Sequence, residues 1–148
     1  MSVATIIASA GGAGYARKAP GTWGSLVGLV LGGALLAAGH LPLVFAVLVV
    51  SAVGVWAVEA VGVAAEDPGW IVVDEVSGQM IALVFLGHLG WLGLVLAFGL
   101  FRLFDIWKAG PVGWVDARHD VWGVMGDDWV AGLLAGLVLL IVQIWVPL

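Results

Sequence analysis

Apolar runs and short polar breaks alternate along this chain. The runs are Leu26 to Ala38, Leu43 to Ala65, Ile71 to Leu86, Leu89 to Trp107 and Trp129 to Val146, with only His40-Leu41-Pro42 and Gly87-His88 between some of them. Runs of this kind predict membrane helices, since a helix needs about 20 apolar residues to cross a hydrocarbon core of about 30 Å. The second, fourth and fifth runs reach that length. The first and third are shorter or carry charge inside, which predicts tilted or re-entrant segments, or a locally thinned bilayer. The expected fold is an all-α, polytopic membrane helix bundle of about five membrane-embedded segments, the first and third short or re-entrant, in one domain over residues 1–148. Gly28 with Gly32, and Gly132 with Gly136, form G-x-x-x-G pairs whose expected role is close helix packing.

Composition makes the bilayer the expected solvent. Of 148 residues, 63% are hydrophobic and 10% charged, and the mean hydropathy is +1.17. A soluble domain is about half apolar and about a quarter charged. Embedded helices use up most of the length, leaving no room for a soluble catalytic domain. The chain has no cysteine, which removes disulfides, thiolate metal sites and cysteine nucleophiles. A net charge of −5 argues against nucleic acid as a partner. Ala8-Ser9-Ala10 imitates a signal-peptide cleavage site, but the apolar stretch before it is short and no positive charge precedes it, so no signal peptide is expected.

Placing the charges on five crossings changes the picture. Arg17, Lys18, Arg102, Lys108 and Arg118 all fall on one side, which the positive-inside rule makes cytoplasmic. The opposite loops keep only His40 and His88. The acids follow the basic residues: Glu59, Glu66 and Asp67 near the end of the second segment, Asp74 and Glu75 opening the third, Asp105 closing the fourth, Asp116 and Asp120 in the next loop, and Asp127 and Asp128 opening the fifth. The nine tryptophans are expected to mark interfacial belts.

Three constellations carry candidate chemistry. The pairs Asp74-Glu75 and Asp127-Asp128 stand where helices are expected to begin. One acid is enough to cap a helix, whereas a second adds repulsion at a membrane boundary that a hard cation such as Mg²⁺ relieves through oxygen ligands. Asp105 sits at a helix C-terminus, where the dipole disfavours negative charge, so it is either paired with Arg102 three residues earlier or part of a site. Arg102 and Lys108 are candidate phosphate partners, with snorkelling as the alternative role. The glycine-rich stretch Gly11 to Ser25 runs into a helix, where backbone N–H groups, Lys18, Thr22 and Ser25 are candidates for cradling an anion. Thr22 or Ser25 also suits an ordinary N-cap. His119 is the only histidine on the charged side.

Four stretches, in order, resemble the phosphatidylglycerophosphatase A family of bacterial membrane enzymes. They are Gly12-Ala13-Gly14 with Ala19-Pro20-Gly21-Thr22-Trp23-Gly24-Ser25, then Val73-Asp74-Glu75-Val76-Ser77-Gly78-Gln79, then Phe101 to Lys108, and Gly123-Val124-Met125-Gly126-Asp127-Asp128 to Gly132. Where the family commonly has proline after the lysine, this chain has Ala109-Gly110 before Pro111, and Asp120-Val121-Trp122 replaces a frequent glycine pair. The resemblance implies a Mg²⁺-dependent phosphomonoesterase that hydrolyses phosphatidylglycerophosphate to phosphatidylglycerol. It implies the bacterial inner (cytoplasmic) membrane, with the active site facing the cytoplasm.

On this reading Asp74, Glu75, Asp105, Asp127 and Asp128 hold one or two Mg²⁺ ions, and Asp74, Asp105, Asp127 and Asp128 are the catalytic candidates. Arg102, Lys108, Thr22, Ser25 and Lys18 face the phosphate. Metal-activated water is the leading nucleophile and direct attack by aspartate the runner-up. The partners are the phospholipid substrate and the bilayer, with oligomeric state left open. A small ion transporter is the rival class, disfavoured because the acids crowd one face and none sits mid-membrane. A lipid phosphatase of broader specificity is a second alternative.

Overall fold

The computed structural model describes residues 1–148 and is entirely helical. In order, the elements are α1 (Val3–Ala8), a 3-10 turn (Ala10–Tyr15), α2 (Pro20–Ala38), α3 (His40–Val61), α4 (Val73–Val84), α5 (Trp91–Trp107), α6 (Pro111–Asp116) and α7 (Val121–Gln143). Three of them, α2, α3 and α7, are long and apolar enough to cross a membrane. With 17 residues, α5 stands at the lower edge of that range, and α4 has 12, about 18 Å of helix. These five form the bundle, as expected.

Two expected boundaries are corrected. The first segment is not short: α2 begins at Pro20, six residues ahead of the apolar run, because proline in a first turn gives up only an N–H that has no partner there. The same reason moves the start of α3 back to His40, so that Pro42 lies inside its first turn and Gly39 alone joins α2 to α3. α3 then stops at Gly62, whose φ of +76° closes the helix in the left-handed region. The third segment is short, as expected.

α4 is the centre of the bundle, packed against α2, α3, α5 and α7, and most of its residues are buried. Glycines let its neighbours come close. A Cβ on Gly28 would press on the Val76 backbone, one on Gly32 on Leu83 and Met80, and one on Gly136 on the Phe85 ring. The packing role expected of both G-x-x-x-G pairs is what the structure shows.

The last carbonyls of α4 need partners outside the helix. Gln143 of α7 donates through Nε2 to the Phe85 carbonyl at 2.9 Å, and its Oε1 accepts from Gly87 N at 2.7 Å. His40 Nε2 lies 2.7 Å from the Leu86 carbonyl. These contacts bring the α2–α3 turn, the end of α4 and the end of α7 to one end of the bundle, which leaves the acids at the other. At the acidic end α4 begins deep, because α7 starts about two turns before the residues that face Asp74. The chain enters α4 through Ile71 and Val72, both buried, and Val72 N bonds to the Ala8 carbonyl at 2.9 Å. Non-helical backbone at that depth is thus satisfied by protein.

Candidate active site

Two helices bring three acids into one cluster. Asp74 and Glu75 occupy the first turn of α4. Asp128 reaches them from α7, which crosses α4 at Gly78 and Gly132, where a Cβ on either residue would strike the other helix's backbone. One carboxylate oxygen each from Asp74, Glu75 and Asp128 lies within 4.8 Å of the others. Asp74 is 7% exposed and Asp128 3%, so water does little to screen their repulsion.

Local bonds to the next backbone N–H satisfy part of this cluster. Asp74 Oδ1 accepts from Glu75 N at 3.0 Å, and Asp127 Oδ1 accepts from Asp128 N at 2.9 Å. Glu75 Oε2 and Asp128 Oδ1 are buried with no hydrogen-bond partner. Nor does Asp127-Asp128 open a helix as expected. Asp120 is the N-cap of α7, its side chain accepting from Gly123 N at 2.9 Å, and the acid pair lies about two turns inside.

α5 adds Arg102 and Asp105 on one face. Arg102 Nη1 pairs with Asp105, donates to Ser25 Oγ at 3.2 Å and stands 3.9 Å from Glu75 Oε1. Arg102 Nε is buried without a partner. The Arg102 guanidinium therefore meets two carboxylates, those of Asp105 and Glu75, and Glu75 in turn stands in the trio with Asp74 and Asp128. The local excess of negative charge and the two orphaned oxygens fit a divalent cation with oxygen ligands.

Asp127 turns away from this cluster. Its Oδ2 accepts from Lys108 Nζ at 2.8 Å, and the same ammonium pairs with Asp116 at the end of α6. Burial alone would lower the Lys108 pKa, but the bonds to Asp116 and Asp127 outweigh it and raise the value above that of an ordinary lysine. Lys108 caps α5 in a left-handed conformation, φ +49°, uncommon for a residue with a side chain.

The anion candidates of the N-terminal stretch divide. Ser25 is fully buried in the second turn of α2, donates to the Gly21 carbonyl at 2.9 Å and accepts from Arg102, so it belongs to the cluster and caps nothing. The α2 N-cap is Ala19, and neither Thr22 nor the exposed Lys18 makes a side-chain bond to the acids. His119 is exposed and lines a separate polar hollow of about 280 Å³ with Glu66, Asp67, Asp116 and Arg118.

Sequence reasoning missed Asp116 and Ser77. The buried Ser77 hydroxyl donates to the Asp74 carbonyl and accepts from Trp129 Nε1, both at 2.9 Å, tying the start of α4 to α7. A polar residue three places after an acid on an otherwise apolar helix was the available signal. Gln79 was quoted only within its motif; it is fully buried, and neither polar atom of its side chain has a partner.

The family model for phosphatidylglycerophosphatase A matches residues 6–143, a span that includes every residue of the cluster. The chain belongs to the phosphatidylglycerophosphatase A family. A Haemophilus influenzae phosphatidylglycerophosphatase A is 36% identical over 139 residues, 90% of this chain and 85% of that protein. The Escherichia coli phosphatidylglycerophosphatase A is 40% identical over 81 residues, 53% of this chain and 47% of that protein. A Bacteroides thetaiotaomicron relative, 36% identical over 149 residues, 95% of this chain and 93% of that one, carries the provisional description phosphatidylinositol-3-phosphatase. No solved structure matches this member of the phosphatidylglycerophosphatase A family.

Proposed function

We propose that this protein is a Mg²⁺-dependent phosphatase that hydrolyses phosphatidylglycerophosphate to phosphatidylglycerol and inorganic phosphate at the cytoplasmic face of the bacterial inner membrane. The observation that carries the proposal is the buried trio Asp74, Glu75 and Asp128, with orphaned carboxylate oxygens beside Arg102, recessed in an apolar bundle. The relatives' names support the choice of lipid. The gathering of Arg17, Lys18, Arg102, Lys108 and Arg118 at one end supports the cytoplasmic orientation.

Asp74, Glu75 and Asp128 hold the cation, with Asp105 beside them and Asp127 one step removed behind Lys108. The chemistry a bound Mg²⁺ supplies is neutralisation of phosphate charge and acidification of water. Arg102 Nε, a buried donor without an acceptor, orients a phosphate oxygen, and Ser25 Oγ fixes the guanidinium that carries it. Asp105, held by Arg102 beside the trio, gives the proton of the attacking water a place to go. Lys108, already engaged by two carboxylates, balances charge from the side and is a weaker phosphate partner than Arg102.

A second reading, a lipid phosphatase of broader specificity, is favoured by the Bacteroides relative. Both are tested by phosphate release from phosphatidylglycerophosphate, phosphatidate and phosphatidylinositol 3-phosphate, with and without Mg²⁺, for wild type and Asp128→Asn. The expected result is Mg²⁺-dependent release, highest on phosphatidylglycerophosphate and at least about 10²-fold lower in the variant. Full activity under chelation or in the variant contradicts the metal assignment, and equal rates on all three lipids favour the broader specificity.

A further inference from the structure

Three hollows indent the apolar surface. Two are lined by hydrophobic residues alone. The third, of about 530 Å³, runs along α5 and is lined by Gly99, Arg102, Leu103, Ile106 and Trp107. These positions recur at helical spacing and form one stripe of α5. Leu103, Ile106 and Trp107 are exposed on it. Arg102 is the one charged residue in any of the three apolar linings, and it is also the residue that binds Asp105 and Ser25 and approaches Glu75. The hollow and the acid cluster therefore share a wall.

Gly99 opens this hollow. A Cβ on Gly28, Gly32, Gly78, Gly132 or Gly136 would press on a neighbouring helix, so packing explains those glycines, whereas a Cβ on Gly99 would meet nothing within 4 Å. Glycine in a helix interior is less favourable than alanine, and no packing contact offsets that here. Beside the stripe, Arg102 keeps one buried donor, Nε, without an acceptor, although its Nη1 is paired with Asp105 and Ser25. An amphiphile with an anionic head and an apolar body accounts for both features at once.

We infer that the α5 hollow is a phospholipid subsite. The substrate enters sideways from the bilayer, lays the length of an acyl chain along the stripe of Gly99 and Leu103, and turns its phosphate inward to Arg102. This rests on the lipid phosphatase reading above and adds the route and the seat of the apolar part. A second copy of the chain, packing helix to helix at Gly99, is the competing occupant.

The test is Gly99→Leu, whose Cβ meets no protein atom within 4 Å and whose longer side chain occupies the hollow. Initial rates are measured on long-chain and dihexanoyl phosphatidylglycerophosphate in the same detergent micelles, beside photo-crosslinking of a phospholipid with a diazirine on its acyl chain. The long-chain substrate is expected to lose about tenfold in kcat/KM, the effect of a few methylenes denied contact, while the dihexanoyl substrate changes little. In wild type the crosslink is expected at Val95 or Leu103, on either side of Gly99 along the exposed stripe, and it disappears in the variant. Equal effects on both chain lengths, or crosslinks elsewhere only, overturn the subsite. A change in oligomeric mass in Gly99→Leu without loss of crosslinking assigns the hollow to a second copy and also overturns it. Crosslinking requires no turnover, so a wild type that binds lipid at α5 and hydrolyses neither substrate refutes the phosphatase reading and not the subsite.

Discussion

Gly132 of α7 faces the carbonyl oxygen of Gly78 on α4 so closely that a Cβ on Gly132 would overlap it. On the other side of the same crossing, a Cβ on Gly78 would come within 2.5 Å of the Asp128 carbonyl oxygen. The separation of two backbones thus sets the distance between Asp128 and the acids of α4. Gly132→Ala is expected to destabilise the protein by about 1–3 kcal/mol, the usual cost of overpacking, and to reduce activity at 20 °C beyond what the unfolded fraction explains. Thermal unfolding in detergent, followed beside phosphate release, checks this. Wild-type activity in a destabilised variant would show that the crossing supports the fold without setting the site.

Arg102 reaches three partners through one nitrogen, Nη1, and leaves Nε free. Lysine keeps the charge and loses the fork, so Arg102→Lys is expected to lower kcat by about 10²-fold, the scale for loss of one donor to a transition-state oxyanion. Ser25→Ala removes one modest hydrogen bond from the guanidinium and is expected to cost about fivefold. Steady-state kinetics on both variants checks the order, and a larger loss in Ser25→Ala than in Arg102→Lys would contradict it.

Lys108 bridges Asp116 and Asp127. Lys108→Met leaves Asp127 buried without its partner, whereas Asp116→Asn leaves the Lys108–Asp127 bond in place. The first is expected to lower both melting temperature and activity, and the second to change activity by no more than about tenfold with the fold intact. Kinetics and thermal unfolding of the two single variants and the double variant check this coupling.

Asp120 caps α7 and accepts from Arg118 through Nε at 3.2 Å and Nη2 at 2.7 Å. The Arg118 bond, with Gly123 N behind it, holds the carboxyl below its ordinary value of 3.8. A lowered folded-state pKa means that its stabilisation is complete above the unfolded value and is lost as pH falls through the folded one. Asp120→Ala is therefore expected to melt at lower temperature than wild type at pH 7, with the gap closing below about pH 4. A gap independent of pH would place the effect in packing.

Much of the bundle was legible because membrane helices announce themselves by length and apolarity. The run Trp129 to Val146 marked α7, and the shortness of α4 was read from the polar Asp74-Glu75 start and the Gly87-His88 break. Boundaries failed where one residue had two readings. Pro20 and Pro42 look like breaks, yet in first turns they cost no bond, so α2 and α3 begin earlier than their apolar runs. In the site, Arg102–Asp105 was visible as an i, i+3 pair. The division of Asp127 from Asp128 was not, because neighbouring residues on a helix point about 100° apart and only the packing of α6 decides that Lys108 meets the first of them. Asp116 stayed hidden for the same reason: its meaning lies in a contact eight residues back along the chain.

The central claim is that Asp74, Glu75 and Asp128 form one divalent-cation site. Mn²⁺, an oxygen-seeking stand-in for Mg²⁺ with an unpaired-electron signal, reports on it directly. Purified protein in detergent is titrated with Mn²⁺ and followed by electron paramagnetic resonance, comparing wild type, Glu75→Gln, Asp128→Asn and Asp67→Asn, the last altering an exposed acid outside the cluster. The account predicts a saturable site, displaced by Mg²⁺, that is weakened at least about tenfold in Glu75→Gln and Asp128→Asn and unchanged in Asp67→Asn. Equal binding in all four folded proteins would contradict it.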